Sequence, residues 1–216
     1  TSRHDLAIDC GAGNGQATIP LAAYFNKVVG VDIGPNQLAV APKKENVGYI
    51  LSTADNLPLG KDSVDLVTSA AAAHWFDLDK FFNEVDRVLK PGGVLALWSY
   101  YMPMVEPEID AVVKDFFENI LSEYVDQRRK WVINGYNDMP FPYKPKMKEI
   151  FPYSIKGDFN RFVAVLDTSS FVQQCKESTG INPLLDVVGH LEELWDPTNH
   201  PMRPMTWNHH MVIGRK

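Results

Sequence analysis

Cysteine is scarce in this chain. Only Cys10 and Cys175 occur among 216 residues, too few for a disulfide framework in a chain of this length. The same scarcity argues against a zinc site built from several thiolate ligands. Two isolated thiols suit a reducing compartment, so we predict a cytoplasmic protein without a bound metal ion.

Long apolar runs and an excess of positive charge are also lacking. No uninterrupted apolar stretch approaches the ~20 residues that a spanning helix needs, so we expect no membrane association. The 27 acidic side chains outnumber the 21 lysines and arginines, for a net charge of −6. Nucleic acids are bound by clustered basic residues, so a small molecule is the expected partner and a nucleic acid is not.

An initiator methionine is absent as well, because the sequence begins at Thr1 and its first predicted strand follows almost at once. We therefore expect a fragment that lacks an N-terminal segment. The 216 residues suffice for one domain with a covered core. The composition gives no indication of the oligomeric state.

Short apolar runs alternate with helical stretches from residue 5 to residue 101. This order predicts βαβ units and a parallel sheet covered by helices on both faces. Strands are expected at 6–8, 28–31, 48–52, 64–68 and 94–99, with helices at 14–25, 35–41 and 77–89. The Lys-Pro-Gly-Gly sequence at 90–93 is expected to separate the last helix from strand five.

Residues beyond 101 are richer in proline and aromatic side chains and predict loops and short helices. A sixth strand is expected at 149–156, helices at 161–176 and 184–195, and a closing strand at 206–214. The predicted fold is a doubly wound, mostly parallel seven-stranded sheet with a helical and loop cap inserted after strand five. Within one domain, 1–101 would bind a cofactor, 102–200 would form the cap and substrate region, and 201–216 would close the sheet.

The sharpest motif is Asp-Cys-Gly-Ala-Gly-Asn-Gly at 9–15, between the first strand and the first helix. Its glycines let the backbone turn tightly and come close to a ligand. In a dinucleotide fingerprint the third glycine follows the second by about three residues, whereas Gly15 follows Gly13 by two. The pattern therefore favours a ligand with a cationic amino-acid end, whose ammonium and sulfonium charges Asp9 would face. A glycine turn without a ligand is the alternative.

Two more aspartates stand at the ends of strands two and three. Asp32 lies 17 residues after Gly15, close to the ~20-residue offset at which a carboxylate accepts ribose hydroxyls. Its alternative role is to cap the helix that follows it. Asp55 is placed to accept an adenine amino group, with Ala54 and Leu57 packing on the base, although a solvated turn has the same sequence features.

Together these motifs resemble the class I methyltransferases that depend on S-adenosylmethionine (SAM), in the group that includes ubiquinone/menaquinone-type and trans-aconitate-type enzymes. The similar stretches are 5–32, 52–65 and 82–97. Within them, Val-Asp-Arg-Val-Leu-Lys-Pro-Gly-Gly at 85–93 is typical of the family. A weaker similarity extends to 168–170 and Trp207, and the family's N-terminal lid helix is missing from the sequence.

The resemblance implies transfer of a methyl group from SAM to an oxygen, nitrogen or carboxylate of a small organic acceptor, with S-adenosylhomocysteine (SAH) as the product. A non-enzymatic SAM-binding or regulatory module is one alternative. A nucleotide-cofactor oxidoreductase or epimerase is another, which the glycine spacing opposes. The implied cofactor contacts are Asp9, Gly11, Ala12, Gly13, Gly15, Asp32, Ile33, Gln37, Ala54, Asp55, Leu57 and Ala71.

His74 follows strand four, at the edge where methyl donor and acceptor are expected to meet, after an alanine run at 70–73 that lets a ligand approach closely. An imidazole with a pKa of about 6.5 can deprotonate or orient an acceptor, which makes His74 the candidate catalytic residue. Local packing is its alternative role. Because SAM is an activated donor, transfer that relies on positioning and exclusion of water without a base is a second alternative, and the sequence does not decide between them.

Acceptor selectivity is expected in the cap, where two sets of side chains are candidates. Cations that would attract a carboxylate acceptor, or simply lie at the surface, are Arg128, Arg129, Lys130, Arg161 and Arg203. Aromatic side chains that would line an apolar pocket, or form a core, are Tyr136, Phe141, Tyr143, Phe151 and Tyr153.

Overall fold

The computed structural model describes residues 4–122, 128–144 and 147–216, and within them seven strands form one sheet in the order β3-β2-β1-β4-β5-β7-β6. The first five strands are parallel, and β7 is antiparallel to β5. The predicted mostly parallel, seven-stranded sheet is confirmed. The strands are β1 (Leu6–Cys10), β2 (Lys27–Asp32), β3 (Val47–Leu51), β4 (Val64–Ala70), β5 (Leu89–Ser99), β6 (Met147–Gly157) and β7 (Arg203–Arg215).

The helices are mostly short. They are α1 (Thr18–Leu21), α2 (Pro35–Ala39), α3 (Leu78–Val88), α4 (Pro107–Asp115), α5 (Arg129–Ile133), α6 (Phe159–Asp167), α7 (Ser170–Thr179) and α8 (Val188–Trp195). Two 3₁₀ turns cover Ala73–Trp75 and Pro183–Asp186, and a π-helical turn at Phe116–Ile120 extends α4. Across the described ranges, no helix has both the length and the apolar character needed to cross a membrane.

The strand order changes direction at the centre of the sheet. From β1 the chain adds β2 and β3 on one side, and then returns to add β4 and β5 on the other. Ile8 of β1 pairs with Val29 on one side and Val67 on the other. Ligands of such sheets bind outside the carboxyl ends of the strands at this reversal. We therefore expect a ligand site at the turns after β1, β2, β3 and β4.

Several predicted boundaries were wrong where a local interruption overrides periodicity. The helix expected at 14–25 is α-helical only at Thr18–Leu21 and is flanked by turns. The single helix expected at 161–176 is two helices, because the Ser169 side chain accepts a hydrogen bond from the Val172 amide and starts α7 anew. The helix expected at 184–195 is a 3₁₀ turn followed by α8.

The Lys-Pro-Gly-Gly stretch was also assigned wrongly, because β5 begins before it. Leu89 pairs with Val64, and Val94 pairs with Leu66. Four residues of β5 thus stand opposite one residue of β4. Residues 90–93 therefore form an enlarged β-bulge within β5, and not a loop between α3 and the strand. Gly92 occupies the left-handed region with φ of 79°, a conformation that glycine adopts without the penalty of a side chain.

Contacts between residues divide the chain into two compact units. The first comprises the chain up to Tyr100 with 131–150 and 209–216, and the second comprises 101–130 and 151–208. The second unit has its own core of aromatic and aliphatic side chains, in which Phe162 and Trp195 are fully buried. The expected subdivision at residues 102 and 201 and the cap role of the inserted segment stay predictions.

Candidate functional site

A cavity of about 350 Å³ opens in the first unit beside the turns that follow β1, β2, β3 and β4. Five of the predicted cofactor residues line it, namely Gly11, Asp32, Ile33, Ala54 and Asp55. The remaining lining residues are Val31, Ser52, Thr53, Ala72, Trp75, Phe76 and Asp77. Residues that follow β1, β2 and β3 thus line one cavity, as expected for the ends of parallel strands, and their role in cofactor binding stays a prediction.

The glycine turn after β1 uses two of its glycines in different ways. Gly11 has φ of 72°, and a Cβ there would lie 2.4 Å from the Cβ of Ala72, so this position is glycine because protein atoms already surround it. Gly13 has φ of 52°, but a Cβ there would meet no protein atom within 4 Å. The space beside Gly13 is therefore open in the protein.

Asp32 anchors this turn to the end of β2. Its Oδ2 accepts the Gly13 amide at 2.7 Å, and its Oδ1 accepts the Gly34 amide at 2.7 Å. Each carboxylate oxygen can accept more than one hydrogen bond, so the side chain keeps acceptor capacity toward the cavity that it lines. The alternative role is not observed, because the N-cap of α2 is Gly34 and no side chain caps that helix.

Asp9 lies elsewhere. Its carboxylate is buried, with Oδ2 accepting the Thr18 hydroxyl at 2.7 Å and Oδ1 accepting the Thr68 hydroxyl at 2.9 Å. Burial raises the pKa of Asp9 to about 6, although both hydroxyl hydrogen bonds lower it. Asp9 is not among the residues that line the cavity, and the expected approach of this carboxylate to a cationic ligand stays a prediction.

The loop after β3 is held from α3. The Leu57 amide donates to Glu84 Oε1 at 2.7 Å, while the Arg87 guanidinium donates to the carbonyls of Leu57 and Leu59. Glu84 and Arg87 also pair with each other, and the hydrogen bond from Arg87 is the main cause of the lowered pKa of Glu84. Arg87, in the stretch at 85–93, thus holds in this chain the loop that carries Ala54 and Asp55.

The wall after β4 is a 3₁₀ turn at Ala73–Trp75, preceded by Ala71 in the left-handed region with φ of 51°. Ala72, Trp75 and Phe76 line the cavity, but His74 between them does not. His74 is 3% exposed, and its Nδ1 lies 2.9 Å from the hydroxyl of Tyr136. A role for His74 as a base stays a prediction.

The sequence of this chain is similar to those of known methyltransferases. The sequence family described as "Methyltransferase domain" matches residues 8–97, which span β1 to β5. A Dictyostelium discoideum protein named as a methyltransferase is 44% identical over 140 residues, which are 63% of this chain and 53% of that protein. A Saccharomyces cerevisiae protein named as an S-adenosylmethionine-dependent methyltransferase is 34% identical over 104 residues, 44% of this chain and 36% of that protein.

A solved structure from Anaeromyxobacter dehalogenans, described as a type II methyltransferase, is similar over almost the whole chain. It is 34% identical and superposes with a TM-score of 0.86, over 98% of this chain and 90% of that one. The chain belongs to the class I SAM-dependent methyltransferase family. It nevertheless spans only about half the length, or less, of the two curated relatives.

The remaining residues that the methyltransferase resemblance implicated do not line the main cavity. Ala12 and Leu57 are buried, Gln37 is exposed on α2, and Ala71 lies just before the cavity wall. Gly15 lines a separate, more open cavity of about 310 Å³.

Four residues that line the main cavity were not predicted from the sequence, namely Val31, Ser52, Thr53 and Asp77. Val31 and Ser52 sit beside the named aspartates at two strand ends, so their position was the available signal. Asp77 caps α3 by accepting the Lys80 amide, and its hydrogen bonds to Lys80 lower its pKa.

The candidate acceptor-binding side chains are distributed between the two units. In the second unit, Arg203 is buried, donates to the Trp195 carbonyl and pairs with Glu106, which is a structural role. The Arg129 guanidinium lies 4.5 Å from the ring centroid of Phe171. Among the described residues, no group of three or more His, Cys, Asp or Glu side chains could hold a metal ion.

The aromatic candidates divide in the same way. In the first unit, Tyr136 and Tyr143 are buried, and the Tyr143 hydroxyl donates to Asp86 at 3.2 Å. Phe151 and Tyr153, on the part of β6 that belongs to the second unit, are 49% and 57% exposed. Of the two alternatives for this set, a core role fits the first pair, and Phe151 and Tyr153 lie at the surface.

Proposed function

We propose that this chain binds SAM in the cavity beside Asp32 and transfers its methyl group to an oxygen, nitrogen or carboxylate of a small organic acceptor. One observation carries the proposal: Asp32 lines the cavity while each of its oxygens already accepts a backbone amide. The two amides hold the carboxylate in place, and the acceptor capacity that remains suits the two hydroxyls of a ribose.

The other lining residues fit the rest of the cofactor. Asp55 offers an acceptor for the adenine amino group, and the exposed Ile33 offers an apolar surface beside it. Gly13 does not line the cavity, but the space beside it is open and its amide is held by Asp32, so we infer that a ligand in contact with Asp32 approaches the backbone there. When bound, SAM supplies an electrophilic methyl group on a sulfonium, so the protein needs to orient the acceptor and keep water away.

Trp75 and Phe76 are placed to keep water away from the reacting groups. Both follow β4 and line the cavity together with Asp32 and Asp55, so they give it an apolar wall on the β4 side. An apolar wall lowers the local water content and strengthens the polar contacts made by the aspartates. The acceptor class rests on family resemblance, because none of the described residues that line this cavity is a cation that would select a carboxylate.

Thermal unfolding with added ligands tests the proposal directly. SAM and SAH should each raise the melting temperature, because a ligand at 100 times its Kd stabilises the folded state by about 3 kcal/mol. NAD serves as the control for a dinucleotide site and should have no effect. A rise with NAD alone, or with none of the three, would overturn the cofactor assignment.

A matched pair of glycine variants tests the position of the site. Gly13→Ala and Gly92→Ala both place a Cβ at a left-handed residue with no protein atom within 4 Å, so each should lower stability by about 1 kcal/mol. Only Gly13→Ala should also weaken SAH binding, because only Gly13 lies on the turn that Asp32 anchors. Equal SAH affinities in the two variants, measured by calorimetry, would contradict the proposed position.

A further inference from the structure

Tyr136 reaches the cavity wall from a distant part of the chain. Its hydroxyl lies 2.9 Å from Nδ1 of His74, although the two residues are 62 positions apart. Both side chains are buried, with Tyr136 1% and His74 3% exposed. A hydrogen bond between buried groups is costly to lose, because the group left behind cannot recover a partner from water.

The backbone at the end of α5 fixes the position of the Tyr136 side chain. Helix α5 ends in a Schellman motif, in which the Tyr136 amide donates to the Trp131 carbonyl and the Gly135 amide donates to the Val132 carbonyl. Tyr136 itself has φ of 59°, in the left-handed region. Bulky residues seldom adopt this conformation unless tertiary contacts hold them there.

His74 connects Tyr136 to the cavity. Its ring centroid lies 4.9 Å from the ring centroid of Trp75, which lines the cavity. The same turn is closed by hydrogen bonds from the Trp75 amide to Ala72 and from the Phe76 amide to Ala73. Fixing the His74 ring therefore fixes the turn that carries the lining residues Ala72, Trp75 and Phe76.

We propose that Tyr136 is a positioning residue for the cofactor cavity, acting through its hydrogen bond to His74 to hold the 3₁₀ turn after β4. The inference rests on the proposed function, because the ligand whose binding it controls is SAM or SAH. It assigns His74 to the support of the wall and not to proton transfer, since a side chain that does not line the cavity is poorly placed to reach an acceptor.

The chain offers a matched control for Tyr136. Tyr143 belongs to the same segment, is also buried and donates its hydroxyl to Asp86 on α3, a residue that does not line the cavity. Tyr136→Phe and Tyr143→Phe each remove one hydroxyl from a buried ring, so both should lower the melting temperature. Only Tyr136→Phe should weaken SAH binding, by about fivefold, the loss expected for one buried hydrogen bond.

Two variants of His74 test the contact through Nδ1, and they serve if Tyr136→Phe does not fold. His74→Asn keeps a group that can hydrogen-bond the Tyr136 hydroxyl near the position of Nδ1 and removes Nε2, so it should retain SAH affinity within about twofold. His74→Ala removes the hydrogen-bonding partner of Tyr136 and should weaken SAH binding about as much as Tyr136→Phe. Combining His74→Ala with Tyr136→Phe should add little further loss, because the two changes remove the same interaction.

The outcomes separate this inference from the proposed function. If the unmodified chain binds no SAH, both fail. If it binds SAH and Tyr136→Phe matches Tyr143→Phe in affinity, the positioning role is overturned while the cofactor assignment stands. If His74→Asn binds SAH as weakly as His74→Ala, the contact through Nδ1 is not what supports the wall, and the inference also fails.

Discussion

The carboxyl ends of β1 and β2 each carry an aspartate, and the two side chains have opposite surroundings. Asp9 faces the protein interior, where two threonine hydroxyls donate to it and burial raises its pKa to about 6. Asp32 lines the cavity and is held by two backbone amides. The same residue type, at neighbouring positions of one sheet edge, is thus a buried structural group in one case and a candidate ligand group in the other.

The difference comes from what surrounds each oxygen. A carboxylate in an apolar interior prefers to be protonated, and neutral hydroxyl donors compensate only part of the desolvation. A carboxylate at a cavity surface keeps its water until a ligand replaces it. Exposure, and not residue type, therefore distinguishes the two aspartates, and three substitutions test this difference.

Asp9→Asn should produce the largest change, a gain in stability at neutral pH. The pKa of Asp9 rises from 3.8 to about 6 on folding, so the stabilising effect of its protonated form is complete below pH 4. That effect is lost as the pH rises through 6, at a cost of about 3 kcal/mol. An asparagine fits the site, because its amide can donate to one threonine oxygen while its carbonyl accepts from the other.

Urea unfolding at several pH values provides the measurement. The variant should exceed the unmodified chain in stability by about 3 kcal/mol at pH 8, and the gap should shrink between pH 6 and pH 4. A gap that is constant with pH, or a variant that is less stable at pH 8, would contradict a buried aspartate with a raised pKa.

Asp32→Asn should have the next largest effect. It should change the affinity for the ligand, whereas Asp9→Asn changes the stability. The change removes the charge that strengthens the hydrogen bonds from two ribose hydroxyls, and it replaces one of the two oxygens that accept the Gly13 and Gly34 amides with an NH2 donor. SAH should therefore bind at least about thirtyfold less tightly, equivalent to about 2 kcal/mol. Asp9→Asn is the control in the same calorimetric titration and should change the affinity by less than about threefold. If the two variants weaken binding equally, the contrast between the two strand ends is wrong.

Thr18→Val should have the smallest effect of the three. It removes the hydroxyl that donates to Asp9 Oδ2 at 2.7 Å while preserving the shape of a fully buried side chain. Stability at pH 8 should fall by about 1 kcal/mol, and SAH affinity should stay unchanged. In the Asp9→Asn background the same change should cost less, because no charge then depends on that hydroxyl. An equal loss in both backgrounds would show that Thr18 acts by packing alone.

Much of the fold could be predicted from the sequence because it is encoded over short distances. Buried strands of a parallel sheet are continuous apolar runs, and β1 to β4 all lie within two residues of their predicted ends. The same logic placed Gly11, Asp32 and Asp55 at one edge. It failed for the helix at 161–176, where apolar periodicity continues through the Ser169 cap that divides it.

The family-typical stretch at 85–93 could be recognised from the sequence, but its contacts could not be predicted. Its resemblance to methyltransferases was recognised, but the contacts of Arg87 with the loop after β3 became visible only in the structure. A pattern records that a residue type recurs at a position, without stating which distant carbonyl it contacts. The bulge at 90–93 was missed for a related reason, since pairing with β4 decides it.

The parallel sheet, the glycine turn and the shared edge of Gly11, Asp32 and Asp55 could be read from the sequence. These follow from hydrophobic runs and from backbone requirements that neighbouring residues impose. The position of Asp9 between Thr18 and Thr68, the position of Asp32 at the cavity and the contact of Tyr136 with His74 could be seen only in the folded chain. Burial and side-chain contacts depend on which distant segments fill the space around a residue, so they arise only when the chain has folded.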